Sequence, residues 1–231
     1  MKTITADQPE FICNISAPCF QMLTPEEMEL VKASKTQVLF RKGDTLTKQG
    51  AFASYILFIV DGLSRQYIEG ESGRTLNLRI IQPGEFIGLS HVFAAPVYNY
   101  SSMAITECRA FLIDKAAIAN VSQQNGTFAF HIIKRYCLQN ANLYHTLQQS
   151  AFKQMNGRMA DTLLYIDTLK TTHPDIFQYF SRKDIADFTG ITTESAVKLL
   201  KSFEKDGLII LNEKDIILTN RPMLEEISKR G

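Results

Sequence analysis

Residues 181–207, SRKDIADFTGITTESAVKLLKSFEKDG, leave a chain few ways to fold, because two short helical patterns meet there at Gly190. In the second pattern Ala196, Leu199, Leu200 and Phe203 recur at i, i+3, i+4 and i+7, which gathers them on one apolar stripe. The opposite face carries Thr193, Glu194, Val197, Lys198 and Lys201, short or polar side chains able to reach outward. In the first pattern Ile185 and Ala186 face inward, and Ser181 followed three residues later by Asp184 resembles a capping box. The small Ala186 lets two helices approach closely, and Gly190 permits the backbone turn between them. The pattern predicts a helix-turn-helix whose second helix is free to enter a major groove; the alternative is an ordinary antiparallel helix pair.

Length sets the frame around this stretch. With 231 residues, 45% of them hydrophobic, the chain can bury one or two cores, and a two-domain division is expected. The formal net charge is only +1. Within the helix-turn-helix, Arg182, Lys183, Lys198, Lys201 and Lys205 are balanced by Asp184, Asp187, Glu194, Glu204 and Asp206. Such balance argues against binding nucleic acid by charge alone and is compatible with reading bases while neutralising phosphates locally. The opening MKTITADQPE lacks the apolar core of a signal peptide, and the longest apolar run, residues 55–60, is far too short to span a bilayer. A cytoplasmic protein is expected, in which the four cysteines are reduced thiols or metal ligands rather than disulfides.

Taken in order, residues 1–23 read as a polar arm holding Cys13 and Cys19. Thr24, with Glu27 three residues on, opens a short helix. Residues 36–114 read as short strands separated by glycines, the pattern of a small β-barrel or sandwich. A helix follows over 126–150, in which Phe130, Ile133, Cys137, Asn140, Tyr144, Leu147 and Ala151 alternate at steps of three and four. That is a heptad seam suited to pairing with a second copy, with Asn140 as a register device; the alternative is a stripe facing the domain's own core. Ile132, Tyr136 and Leu143 form a second stripe for packing on the barrel. A hinge is expected near Asn156-Gly157, a strand hairpin (the wing) around Asn212 to Asp215, and a short helix at the end.

With a glycine-punctuated barrel, a heptad helix and a winged helix-turn-helix in this order, the sequence resembles the cyclic-AMP receptor protein/FNR family of bacterial transcription regulators. The resemblance rests on Phe40, Gly43, Leu46, Gln49 and Gly50, on Ile59-Val60-Asp61-Gly62, and on PGEFIG at 83–88. It continues in GRMADTLL at 157–164 and in Ser181-Arg182-x-Asp184-Ile185. It implies an α+β protein: an arm (1–23), a double-stranded β-helix (jelly-roll) barrel of the cyclic-nucleotide-binding kind (24–125), a dimerisation helix (126–152) and a winged helix-turn-helix (153–231). It also implies a homodimer on a palindromic double-stranded operator, contact with RNA polymerase if the protein activates, and no membrane. The recognition helix would start near Thr192, with Ser195 in its first turn. Glu194 stands where the family reads cytosine N4, and Lys198 where it reads guanine with an arginine. An ammonium is a point donor rather than a planar fork, so readout of O6 and N7 is weaker here. Val197 offers apolar contact, Ser181 and Arg182 are positioned for phosphates, and Lys201 is expected to add a contact independent of sequence.

The resemblance also indicates an effector pocket at Gly84, Glu85, Gly88, Leu89, Ser90, Tyr98, Tyr100, Leu143 and Tyr144. The cyclic-nucleotide branch holds phosphate with a glutamate and an arginine; here those positions are Leu89 and either Tyr98 or Tyr100. A buried phosphate without a cation is strongly disfavoured, which argues against cyclic AMP and leaves the cofactor unknown. The tyrosines either line a pocket for another ligand or fill the former cavity. The FNR branch carries a [4Fe–4S] cluster on four cysteines. Such a site here would need Cys13, Cys19, Cys108 and one further group to converge; the alternative is buried thiols that pack as small hydrophobes. His91, His131, His145 and His173 lack metal-ligand spacing. No nucleophile elbow, P-loop or dinucleotide fingerprint is present, so the reading is a regulator, not an enzyme.

Overall fold

The computed structural model describes residues 1–5, 8, 12, 18–94 and 96–231. It divides into two compact units: Met1–Ile68 with Arg79–Asn142, and Glu69–Leu78 with Leu143–Gly231.

The first unit is built on two antiparallel sheets. The strands of these sheets are β1 (Lys2–Ile4), β2 (Lys35–Phe40), β3 (Thr45–Thr47), β4 (Tyr55–Asp61), β5 (Ser64–Glu69), β6 (Thr75–Ile81), β7 (Phe86–Ile87), β8 (Ser101–Ala104) and β9 (Cys108–Asp114), of which Glu69 and Thr75–Leu78 are counted in the second unit. One sheet runs β1-β2-β9-β4-β7 and the other β3-β8-β5-β6. β4 explains why YILFIV reads as one unbroken apolar run. Ile56 and Phe58 enter a cluster with Phe20, Phe86, Phe111 and Phe128, while Leu57 and Ile59 enter a second cluster with Val38, Phe40, Ile81 and Ala104. A strand buried on both faces has no reason to alternate. The second cluster draws on both sheets and is the interior of the jelly roll. The first is covered by α1 (Pro25–Ala33), α3 (Lys115–Gln124) and the start of α4 (Gly126–Phe152). A short α2 (Ser90–Phe93) leads away from β7. Thr24 and Glu27 form the expected capping box on α1. Residues 2–4, inside the stretch read as a polar arm, instead pair with Leu39, Val38 and Gln37 of β2.

The second unit contains α5 (Met155–Thr168), α6 (Arg182–Thr189), α7 (Thr193–Lys205), the hairpin β10 (Ile209–Asn212) and β11 (Asp215–Leu218), and α8 (Arg221–Arg230). The break between α4 and α5 falls at Lys153-Gln154, not at Asn156-Gly157. Gln154 takes the extended conformation and Gly157 lies buried inside α5. There a Cβ would come within 2.8 Å of the Gly231 Cα, so this glycine serves close packing rather than bending. Lys153 Nζ is tied to Asp161 and, at 3.2 Å, to the Ser228 hydroxyl of α8, which fixes the break where it is.

Candidate functional site

Helix α6 begins at the Ser181 cap. The Asp184 amide donates to Ser181 Oγ at 3.1 Å and the Asp184 carboxylate accepts from the Ser181 amide at 2.8 Å. It ends at Gly190, whose φ of 69° and ψ of 38° give the left-handed turn the sequence requires. Helix α7 is capped by Thr192, whose Oγ accepts from the Ser195 amide at 3.2 Å. Glu194 lies in its first turn, where the helix dipole favours a negative charge. Ala196, Leu200 and Phe203 are buried beneath α7, and Ile185 and Ala186 beneath α6. Thr192, Thr193, Glu194, Lys198 and Lys201 are exposed, with Ser195, Val197 and Leu199 half-buried. The spacing is matched at Thr193, Glu194, Lys198 and Lys201, whereas Val197, expected outward, and Leu199, expected inward, are both half-buried.

Two of the expected phosphate contacts have partners within the protein. The Ser181 hydroxyl donates to the Asp184 carboxylate at 2.6 Å. Arg182 donates from Nη2 to the Glu213 carbonyl at 3.2 Å, in the turn of the β10–β11 ribbon. Burial pulls the Arg182 pKa down, and the charge of Glu204 opposes that shift. Glu204 in turn accepts from the Leu211 amide at 2.9 Å. The ribbon is thus fastened to α6 by Arg182 and to α7 by Glu204, a pair of ties that helical periodicity does not announce. Its turn holds Glu213 at a φ of 49°, an uncommon conformation for a residue with a side chain. The same unit includes residues 69–78. Thr75 Oγ1 donates to Asp187 at 2.7 Å and Asn77 Nδ2 to the Asp184 carbonyl at 3.1 Å, contacts no local pattern signals.

The seam residues on α4 present a largely uncovered apolar row: Phe130, Ile133, Tyr144 and Leu147 are exposed, as is Cys137, while Asn140 is half-buried. Of the second stripe, Ile132 is buried in the first unit but Tyr136 is exposed.

In the barrel, the turn after β7 is closed by the chain itself. The Gly88 amide donates to the Tyr100 hydroxyl at 2.8 Å, and the Tyr98 hydroxyl donates to the Tyr55 carbonyl at 2.7 Å. Leu89 is buried. His91 stacks edgewise on Tyr98 with centroids 5.0 Å apart, and its Nε2 accepts from the Asn99 amide at 3.3 Å. Burial lowers the His91 pKa, so the ring is neutral, with Ser90 Oγ 3.2 Å from its Nδ1. Burial also pushes Tyr98 up to about 12 and raises Tyr100. Glu85 accepts from Arg79 Nη1 at 2.6 Å and from the Gln82 amide at 2.7 Å, while Arg79 Nε donates to Gln66 at 2.8 Å. The Gly84 carbonyl accepts from Arg135 at 2.7 Å. Leu143 and Tyr144 fall in the second unit, the former half-buried and the latter exposed.

Cys13 lies outside the described residues. Cys19 and Cys108 belong to separate apolar clusters. Burial raises the Cys19 thiol and pushes Cys108 up to about 12, and Cys108 donates to the Leu63 carbonyl at 3.0 Å. Neither is a ready thiolate. Among the described residues no group of three His, Cys, Asp or Glu is arranged to hold a metal ion, and no helix is long and apolar enough to cross a membrane.

Comparison with known proteins follows the same division. Residues 37–125 match the cyclic nucleotide-binding domain, and residues 157–227 match the Crp-like helix-turn-helix domain. The chain is 27% identical over 180 residues to the cAMP-activated global transcriptional regulator CRP of Salmonella typhimurium, covering 75% of this chain and 85% of that one. It is 24% identical over 178 residues to the CRP of Pasteurella multocida, with the same shares. Among solved structures, a regulator of the Crp/Fnr family from Eubacterium rectale superposes with a TM-score of 0.78 at 16% identity, over 92% of this chain and 98% of that one. FixK2 from Bradyrhizobium japonicum gives 0.73 at 21%, over 84% and 96%. A jelly-roll barrel of the one kind and a winged helix of the other, carried in that order on a single chain, make this protein a member of the CRP/FNR family of transcription regulators.

Proposed function

We propose that the protein acts as a homodimer that reads a two-fold symmetric operator, with the barrel responding to an effector other than cyclic AMP and so repositioning the two recognition helices. The observation that carries this reading is the split on α7, where Thr193, Glu194, Lys198 and Lys201 are exposed over a stripe of buried Ala196, Leu200 and Phe203. The exposed seam on α4 supports the pairing, since a row of aromatic and aliphatic side chains in water favours a second copy. Control is then a shift of population between competent and incompetent dimers. RNA polymerase is a partner if the protein activates. Selection of genomic fragments with the purified protein tests the reading. Enrichment of one palindromic sequence supports it, and enrichment of none favours the second reading, a small-molecule-binding barrel protein without DNA binding.

Substitutions on α7 separate base reading from charge. In a binding-site selection Glu194→Ala is expected to relax the preference for the G·C pair under it, at a cost of about 1–3 kcal/mol in discrimination. Lys201→Ala is expected to weaken all sequences alike and to reduce the slope of log affinity against log salt by about 1. An unchanged preference in the first variant would remove Glu194 from the readout.

We propose further that Cys19 and Cys108 are structural, on the ground that they are buried in different apolar clusters, where burial raises both thiols. Protein purified without oxygen is then expected to be colourless. Visible absorbance with bound iron would overturn this.

A further inference from the structure

The barrel matches a domain family that takes cyclic nucleotides, yet the residues at the turn where the resemblance sets the phosphate do not fit that group. A buried phosphate needs amide donors and a cation. The Gly88 amide already donates to the Tyr100 hydroxyl at 2.8 Å. The Tyr98 ring crowds the same point: a Cβ at Gly88 would lie 3.3 Å from it. The Leu89 side chain, buried and apolar, offers nothing to an anion. The cation on this side of the barrel is Arg79, but its guanidinium is held by Gln66 at 2.8 Å and neutralised by Glu85 at 2.6 Å. His91 is neutral, with Nε2 taken by the Asn99 amide. An entering phosphate would have to break the Gly88–Tyr100 bond and expel Glu85 from Arg79.

We infer that Tyr100 is an internal ligand: its hydroxyl stands at the Gly88 amide in place of a phosphate oxygen, so the barrel takes no cyclic nucleotide and the protein binds its operator equally well without one. The second half of this statement rests on the DNA-binding reading above; the first does not. Tyr100 begins the approach to β8, which pairs with both β3 and β5, so the closure is built into the sheet that forms one wall of the barrel.

Calorimetric titration of the full chain with cyclic AMP, and separately with cyclic GMP, is expected to give no saturable heat up to about 1 mM. The dissociation constant for a selected operator fragment is expected to change by less than about twofold when either nucleotide is present. Saturable heat, or a change of about tenfold or more, overturns the inference. Tyr100→Phe removes only the oxygen and keeps the ring. It is expected to lower the melting midpoint by about 3–6 °C, because the Gly88 amide loses its acceptor. A midpoint unmoved by Tyr100→Phe overturns the internal-ligand role. If fragment selection recovers no operator, the DNA-binding reading fails while the calorimetry still decides whether the barrel is closed to nucleotides.

Discussion

Gly62→Ala is expected to cost the protein about 3–5 kcal/mol, summing a left-handed backbone with the overpacking of a filled site. Gly62 has a φ of +81°, and a Cβ there would lie 2.0 Å from the Glu107 carbonyl oxygen, 2.8 Å from the Cys108 Cα and 2.9 Å from its Sγ. Two of these three atoms are backbone, so the clash is relieved only by moving the start of β9, the strand that pairs with both β2 and β4. Set against a whole-protein stability of about 5–15 kcal/mol, that is a large fraction. Gly43 supplies the control, since its φ is +88° but nothing lies within 4 Å of its absent Cβ. Gly43→Ala therefore carries the backbone term alone, about 1–2 kcal/mol. Urea titrations of the two variants measure the difference, and equal midpoints would refute the steric argument.

The second large effect belongs to the seam. Ile133→Asp is expected to make the protein monomeric and to weaken operator binding by about 100-fold or more, because the second half-site is then no longer bound at high effective concentration. Ile133 is 55% exposed and Leu147 63% exposed, so a charge at either position costs the isolated chain little. In a paired seam the same carboxylate is buried opposite its own copy. Light scattering on the eluting protein reads the oligomeric state, and an unaltered melting midpoint shows that the monomer remains folded. A variant that stays dimeric, or a monomer with full operator affinity, would remove the seam from the mechanism.

What could be read ahead of the structure was what short-range spacing dictates. The capping residues Thr24 and Ser181, the αL turn at Gly190 and the buried stripe of α7 each follow from residues within one or two helical turns. The misplaced hinge shows the opposite case. Glycine is the strongest local breaker, so Asn156-Gly157 drew the bend. The actual break is held by Lys153 reaching Asp161 and Ser228, the latter 75 residues away, and Gly157 is consumed by its approach to Gly231. The closure of the barrel turn was legible only as two open alternatives. Tyr98 and Tyr100 were visible in the sequence, but whether they lined a space or filled it depended on which amide the Tyr100 hydroxyl met. Likewise Arg182 was legible as a cation near the helix start and illegible as the tether of a ribbon 31 residues on.

That tether sets a limit on how the DNA-reading half can adapt. Arg182 holds the Glu213 carbonyl while Glu204 holds the Leu211 amide, so the ribbon is fastened to both helices of the pair. A tilt of α7 that leaves both bonds intact carries the ribbon with it. Reshaping the ribbon against the helices would first have to break one of those two bonds.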